Sequence, residues 1–320
     1  MPELLKPVTL PDKYSEEIRE KIIQYLTDVI FLPIIKEMEI TKERYFNSSY
    51  LLQNSVSAIT KGIKTGRIQF ADGIIKGDFN ATITRQLREL GLKYDNRIKG
   101  YRINLINLPV SLQVAITETA ENYEYMAQNM LKAIDNIEIK EGLTFIEESN
   151  SIIDNLNLNL DKSLKKSIGI NILITDFQRD VLNKNFTQNM NLYIQDFVKE
   201  EIIRLRELVE QSALSGIRAK ELQTIIKDQF AVSDRKAKFL ARQEVNLFQS
   251  TYKYNQYKQN GIERYRWSIS GIRTRKDHKE LDKKIYYFND PPVTNQKTKA
   301  RNNPQEDYNC NCIAIPIYDG

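Results

Sequence analysis

The sequence predicts a mainly α fold with a small α+β insert and a C-terminal α+β module. Three observations predict it. Apolar residues recur at three- and four-residue spacing through residues 15–37 and through most of 109–261, the period of a helix with one buried face. Between them, Gly62, Gly66, Gly73 and Gly77 punctuate the chain, which suits short extended pieces and turns. After Asn260-Gly261, a good helix stop, apolar and polar residues alternate in short runs. Four regions follow: an N-terminal helical segment (1–61), the α+β insert (62–108), a helical body (109–232) and the C-terminal module (233–320).

Taken in order, Ile18, Ile22, Ile23, Tyr25, Leu26, Val29 and Ile30 share one face of a helix from Ser15 to about Glu37. Ser15 followed by Glu16 and Glu17 suits its start. A second helix is expected from Thr41 to about Lys61. In the insert, Asp78 is the expected N-cap of a helix running through Leu90 and closed by Gly91. Leu92–Tyr94 and Tyr101–Leu105 then flank a turn at Asp95-Asn96-Arg97, a hairpin pattern.

In the body, Leu112, Ile116, Ala120, Tyr123 and Ala127 fall on one helix face. Leu192, Ile194, Phe197, Val198, Ile202, Leu205 and Leu208 do so along a longer helix, with a break at Ser215-Gly216. Two helices are expected next, Ala219 to Phe230 and Asp234 to about Asn260, with Ser233 as N-cap of the second. Asn155–Leu160 alternates like a strand inside a helical neighbourhood, and periodicity leaves its state open.

In the last region, Arg264–Ile269 alternates as a half-buried strand, with Trp267 a core anchor. Arg275–Asp282 has the length of two helical turns. Ile285–Phe288 is a second expected strand. A polar loop with three prolines spans Asn289–Asp307, and Cys312–Pro316 is a short final strand.

Hydrophobic residues are 41% and charged residues 28% of the 320, a globular rather than disordered balance. No apolar run nears the roughly 18–20 residues of a membrane span, and Met1–Lys6 lacks a basic-then-apolar export signal. Two cysteines make no disulfide framework, so a reducing interior is expected. Net charge is +5. Residues 233–320 hold 17 Lys/Arg against 10 Asp/Glu, while the rest holds 30 against 32. The C-terminal quarter is therefore the part suited to a polyanion.

That quarter also concentrates scarce chemistry. The only tryptophan, the only histidine and both cysteines lie between Trp267 and Cys312. A single histidine rules out an H-E-x-x-H zinc site. No glycine precedes a lysine and no two glycines lie two apart, so Walker A and dinucleotide fingerprints are absent. On a two-turn helix His278 and Asp282 would share a face. On a strand Cys310 and Cys312 would do the same. Together they form a four-donor set for structural zinc. Arg273, Arg275, Lys276 and Lys279, continued by Lys283, Lys284, Lys297, Lys299 and Arg301, form a basic cluster suited to sequence-independent contact with duplex DNA phosphates. An enzymatic alternative, a metal-dependent nuclease or toxin-like enzyme, would use His278 as general base with Asp277 or Asp282 as partner.

Several residues carry a family resemblance. They are Arg242-Gln243-Glu244, Trp267, the run Arg273-Thr274-Arg275-x-x-His278-x-x-Leu281-Asp282, and Glu306-Asp307-Tyr308-Asn309-Cys310-x-Cys312 followed by Pro316. From about residue 220 to the end the chain resembles the phage Mu F-like, or head morphogenesis, family of minor head proteins. Gly66–Gly73, Asp78-Phe79-Asn80 and Leu90-Gly91 look like the upstream part of some such proteins. The chain departs from the family pattern at Gly271, where an acidic residue is usual, at Lys283, where glycine is common, and at Asn311, where many members have arginine. The resemblance implies a non-enzymatic, low-copy protein of the virion, placed in the capsid interior or at the portal vertex and in the host cytoplasm during assembly. Its implied partners are the portal protein, capsid or scaffolding proteins and packaged double-stranded DNA, with no membrane.

Overall fold

The computed structural model describes residues 3–46, 57–71, 73–138, 142–214, 219–271 and 274–319. The fold is mainly helical with two small antiparallel sheets. The chain forms two compact units, one drawn from Met1–Gln24, Glu141–Asp196 and Asp234–Gly320, the other from Tyr25–Lys140 and Phe197–Ser233.

The first helix, α1 (Lys13–Leu26), starts two residues before Ser15, whose hydroxyl donates to the Asp12 carbonyl. Its helical path continues through a π-turn at Thr27–Phe31 into α2 (Leu32–Phe46). Pro33 explains the π-turn: it lacks an N–H, and its ring excludes the normal partner carbonyl four residues back. The second expected helix survives in pieces. Residues 41–46 belong to α2, α3 spans Ala58–Lys64, and residues 47–56 lie outside the described residues.

The insert folds as expected in kind. Strands β2 (Ile68–Ala71) and β3 (Ile74–Gly77), helix α4 (Ala81–Glu89), and strands β4 (Tyr94–Asp95) and β5 (Gly100–Arg102) follow in order, and the sheet runs β2-β3-β5-β4. Asn80, not Asp78, caps α4; its side-chain oxygen accepts from the Ile83 N–H. The chain is still leaving β3 at Asp78, whose N–H bonds the Arg67 carbonyl. Gly77 has φ 141°, and a Cβ there would overlap the Arg67 carbonyl, so only glycine fits. Ile63, Ile68, Ile75, Leu87 and Tyr101 form this region's core, joined by Leu112 and Ile116 from α5 (Val110–Asp135).

Asn155–Leu160 is helical, inside α6 (Ile146–Ile168). Leu156 and Leu160 are buried, Leu158 is exposed, and Asn155 and Asn159 bond each other one turn apart. Alternation here is a coincidence of asparagines on a helix. Helix α7 (Asp176–Leu214) buries Phe186, Met190, Ile194, Phe197, Val198, Leu205 and Val209, whereas Leu192 faces solvent. The break at Ser215-Gly216 lies outside the described residues.

The two helices expected around Ser233 are one, α8 (Ala219–Gln259). Ser233 is fully buried mid-helix. Its hydroxyl lies 2.8 Å from a Glu201 carboxylate oxygen and 3.0 Å from the Gln229 carbonyl. The serine signals a buried polar cluster, with Gln229 also donating to Glu201, rather than a cap.

The C-terminal sheet runs β1-β8-β6-β7, with β6 at Arg264–Ser268, β7 at Ile285–Tyr287 and β8 at Ile313–Tyr318. Its outer strand β1 (Glu3–Leu4) comes from the other end of the chain and pairs antiparallel with β8. Inward-facing Tyr265 and Trp267 of β6 are fully buried. Between β6 and β7 lies a one-turn helix, α9 (Lys276–Lys279), half the expected length.

Candidate metal centre

The side chains that converge come from three places: β6, α9 and the long connection from β7 to β8. Trp267 on β6 packs its ring edge-on against His278, with centroids 5.4 Å apart. His278 points inward from α9 and is 1% exposed, while Lys276 and Lys279 beside it face solvent. Helix α8 grips the connection from the other side. Gln243 accepts the Asn309 N–H, Asn246 donates to the Asn311 side chain, the Ser250 hydroxyl donates to the Pro304 carbonyl, and Lys253 reaches Gln305. These bonds set Cys310 and Cys312 under α9.

The result is a compact donor set. His278 Nδ1 lies 3.6 Å from Cys310 Sγ and 3.5 Å from Cys312 Sγ. The three donor atoms lie within 4.8 Å of one another, and all three residues are buried. The other ring nitrogen, Nε2, lies 3.0 Å from Asp307 Oδ2, which also accepts from the Arg275 guanidinium at 2.9 Å. Asp307 thus assigns the imidazole its orientation.

The electrostatics favour one anionic sulfur. Cys310 is held well below the usual thiol range by a hydrogen bond from Cys312, against the cost of burial, with help from His278 and the backbone N–H of Gln305. Cys312 is pushed up by bonding to that thiolate and by burial. Burial pulls His278 down, but the Cys310 thiolate and Asp307 outweigh it and leave the imidazole raised. The Trp267 indole N–H is buried without a hydrogen-bond partner among the described residues.

Three of the four sequence-derived donors meet. Asp282 does not join them: the chain leaves α9 after one turn, and the Asp282 carboxylate accepts the Ile269 N–H at 3.1 Å. Asp277, the other acid considered for His278, accepts from the Gln296 N–H instead. The residue missed is Asp307. Its signal was its place three residues before Cys310 in the cysteine run, since histidine ligands commonly bond a carboxylate through the second nitrogen.

Cys310, His278 and Asp307 also line up as a thiol, an imidazole and a carboxylate, the order of a nucleophilic triad. The sulfur and the ring are both closed off from solvent in this structure. The thiol is 2% and the imidazole 1% exposed, and a reacting carbonyl needs direct access to the sulfur.

The basic residues divide into two groups. Arg275 bonds Asp307, and Arg301 pairs with Asp290. Lys276, Lys279, Lys283, Lys284, Lys297 and Lys299 are exposed, and none forms an ion pair among the described residues. Arg273 lies outside the described residues.

Residues 204–315 match the family described as Phage Mu protein F like protein. This span covers α8, strands β6 and β7, the first residues of β8 and the whole donor set. The chain is 26% identical over 165 residues to an uncharacterized protein of Haemophilus influenzae, an alignment covering 49% of this chain and 35% of that protein. The matched part thus spans about a third of the relative's length. No solved structure matches.

Proposed function

We propose that this protein is a structural minor head protein of a tailed phage or prophage, acting in head assembly near the portal. The observation that carries this reading is the Phage Mu protein F like match, which covers the whole donor set of the C-terminal module. The exposed lysines on that module suit duplex DNA, because phosphate contact needs only cations at a surface. Portal, capsid or scaffolding proteins are the partners the reading requires. No described helix is long and apolar enough to cross a membrane. Genetic removal from the parent phage or prophage tests the proposal. The expected result is a loss of DNA-filled heads, with the protein detected by mass spectrometry in wild-type particles. Normal infectious particles from the deletion would refute it.

A further inference from the structure

We propose that His278 Nδ1 and the sulfurs of Cys310 and Cys312 are the protein donors of a tetrahedral zinc centre. A tetrahedral ion with Zn–S of about 2.3 Å and Zn–N of about 2.0–2.1 Å holds its sulfur and nitrogen ligands about 3.6 Å apart. The two observed separations are 3.6 and 3.5 Å. A thiol-to-imidazole hydrogen bond accounts for one of these distances but not for both. A neutral ring nitrogen offers one lone pair, and here two sulfurs stand equally near it. One ion among the three atoms satisfies both distances at once.

The surroundings fit the same ion. Asp307 Oδ2 and the Arg275 guanidinium both face Nε2, at 3.0 and 3.2 Å; a carboxylate is the usual outer partner of a metal-bound histidine, and with the ring proton on Nε2 the Nδ1 lone pair faces the sulfurs. The Gln305 backbone N–H points at Cys310 Sγ at 3.5 Å. Donors of this kind stabilise thiolates. Two thiolates and an imidazole in a buried site select zinc over magnesium or calcium, which take oxygen ligands. On binding, the protons that Cys310, Cys312 and His278 Nδ1 hold between them leave to solvent and the ion takes their place. The fourth position of the shell is left to water. The centre ties α9 to the segment that enters β8, across a connection that contains no helix and only isolated bridges after β7. This inference rests on the donor geometry alone and stands or falls apart from the head-assembly reading.

The test uses the full chain, purified under reducing conditions, stripped with a chelator and titrated with zinc or cobalt. One zinc per chain is expected, together with a sulfur-to-cobalt charge-transfer absorption. Cys310→Ser and Cys312→Ser should each abolish the absorption, and Asp282→Asn should keep it. Asp307→Asn should weaken cobalt binding by about 10- to 100-fold. If the cysteine variants do not fold, the wild-type chain decides, because zinc should raise the thermal midpoint of stripped protein. A midpoint and spectrum unmoved by either metal, or an absorption that survives both cysteine changes, overturns the proposal.

Discussion

Asp307 and His278 are joined through Oδ2 and Nε2 at 3.0 Å, across 29 residues of chain, and this single bond aims the other imidazole nitrogen at both sulfurs. Asp307 is also the acceptor for Arg275. Truncating it strips two donors at once, one of them on the buried His278. Asp307→Ala is therefore expected to cost about 1–3 kcal/mol by urea unfolding. Arg275→Ala, at a far more exposed position, should cost less than about 1 kcal/mol. Equal losses would show that the aspartate serves the arginine rather than the ring.

The continuity of α8 is open to a proline test. If a helix began after a Ser233 cap, proline at residue 234 would sit in its first turn, where it is tolerated. In a continuous helix it removes a backbone bond and clashes with the preceding turn. Asp234→Pro is expected to cost about 3 kcal/mol or more. Asp234→Ala, which removes only the ion pair with Arg19, isolates the side-chain share.

Two buried groups on α8 each make stability depend on pH. Burial pushes Glu244 up to about 7 and Lys253 down to about 7. Between the ordinary carboxylate range and pH 7 the folded chain holds the extra Glu244 proton, so stability falls as pH rises. From pH 7 to the ordinary lysine range the unfolded chain holds the extra Lys253 proton, so stability climbs again. A minimum near pH 7 is expected from these two groups. Urea midpoints measured across pH 5–10 should lose the acid arm in Glu244→Gln and the alkaline arm in Lys253→Met.

The exposed lysines set a salt dependence. If Lys276, Lys279, Lys283, Lys284, Lys297 and Lys299 each neutralise one phosphate, log K against log salt for linear duplex DNA should have a slope of roughly −5. Charge reversal at Lys297 and Lys299 together should flatten it by roughly 2 and weaken all sequences alike. Binding indifferent to salt would remove DNA from the proposed role.

Much of the fold was legible in the chain because its signals are local. The four-residue spacing of Ile18, Ile22 and Leu26 found α1, and the alternation around Tyr265 and Trp267 found β6. Where the reading slipped, a residue had two local uses and only its distant neighbours chose between them. Ser233 is as good a cap as a buried partner, and Glu201, 32 residues away, decided. The asparagines of residues 155–160 mimic a strand until Leu156 and Leu160 are seen buried together. Strand β1 could not be found at all, since two residues have no period and its partner lies at the opposite end of the sequence.

By itself the sequence determined which residues would carry the chemistry: one histidine, two cysteines and one tryptophan, spent within the C-terminal module. Only the tertiary structure decided which acid serves the histidine. Asp282 shares a face with His278 if the helix lasts two turns. It lasts one, and Asp282 turns away to the Ile269 backbone. Asp307 arrives instead on a loop held by α8. Helical spacing is written in neighbouring residues, whereas loop closure depends on everything the loop packs against.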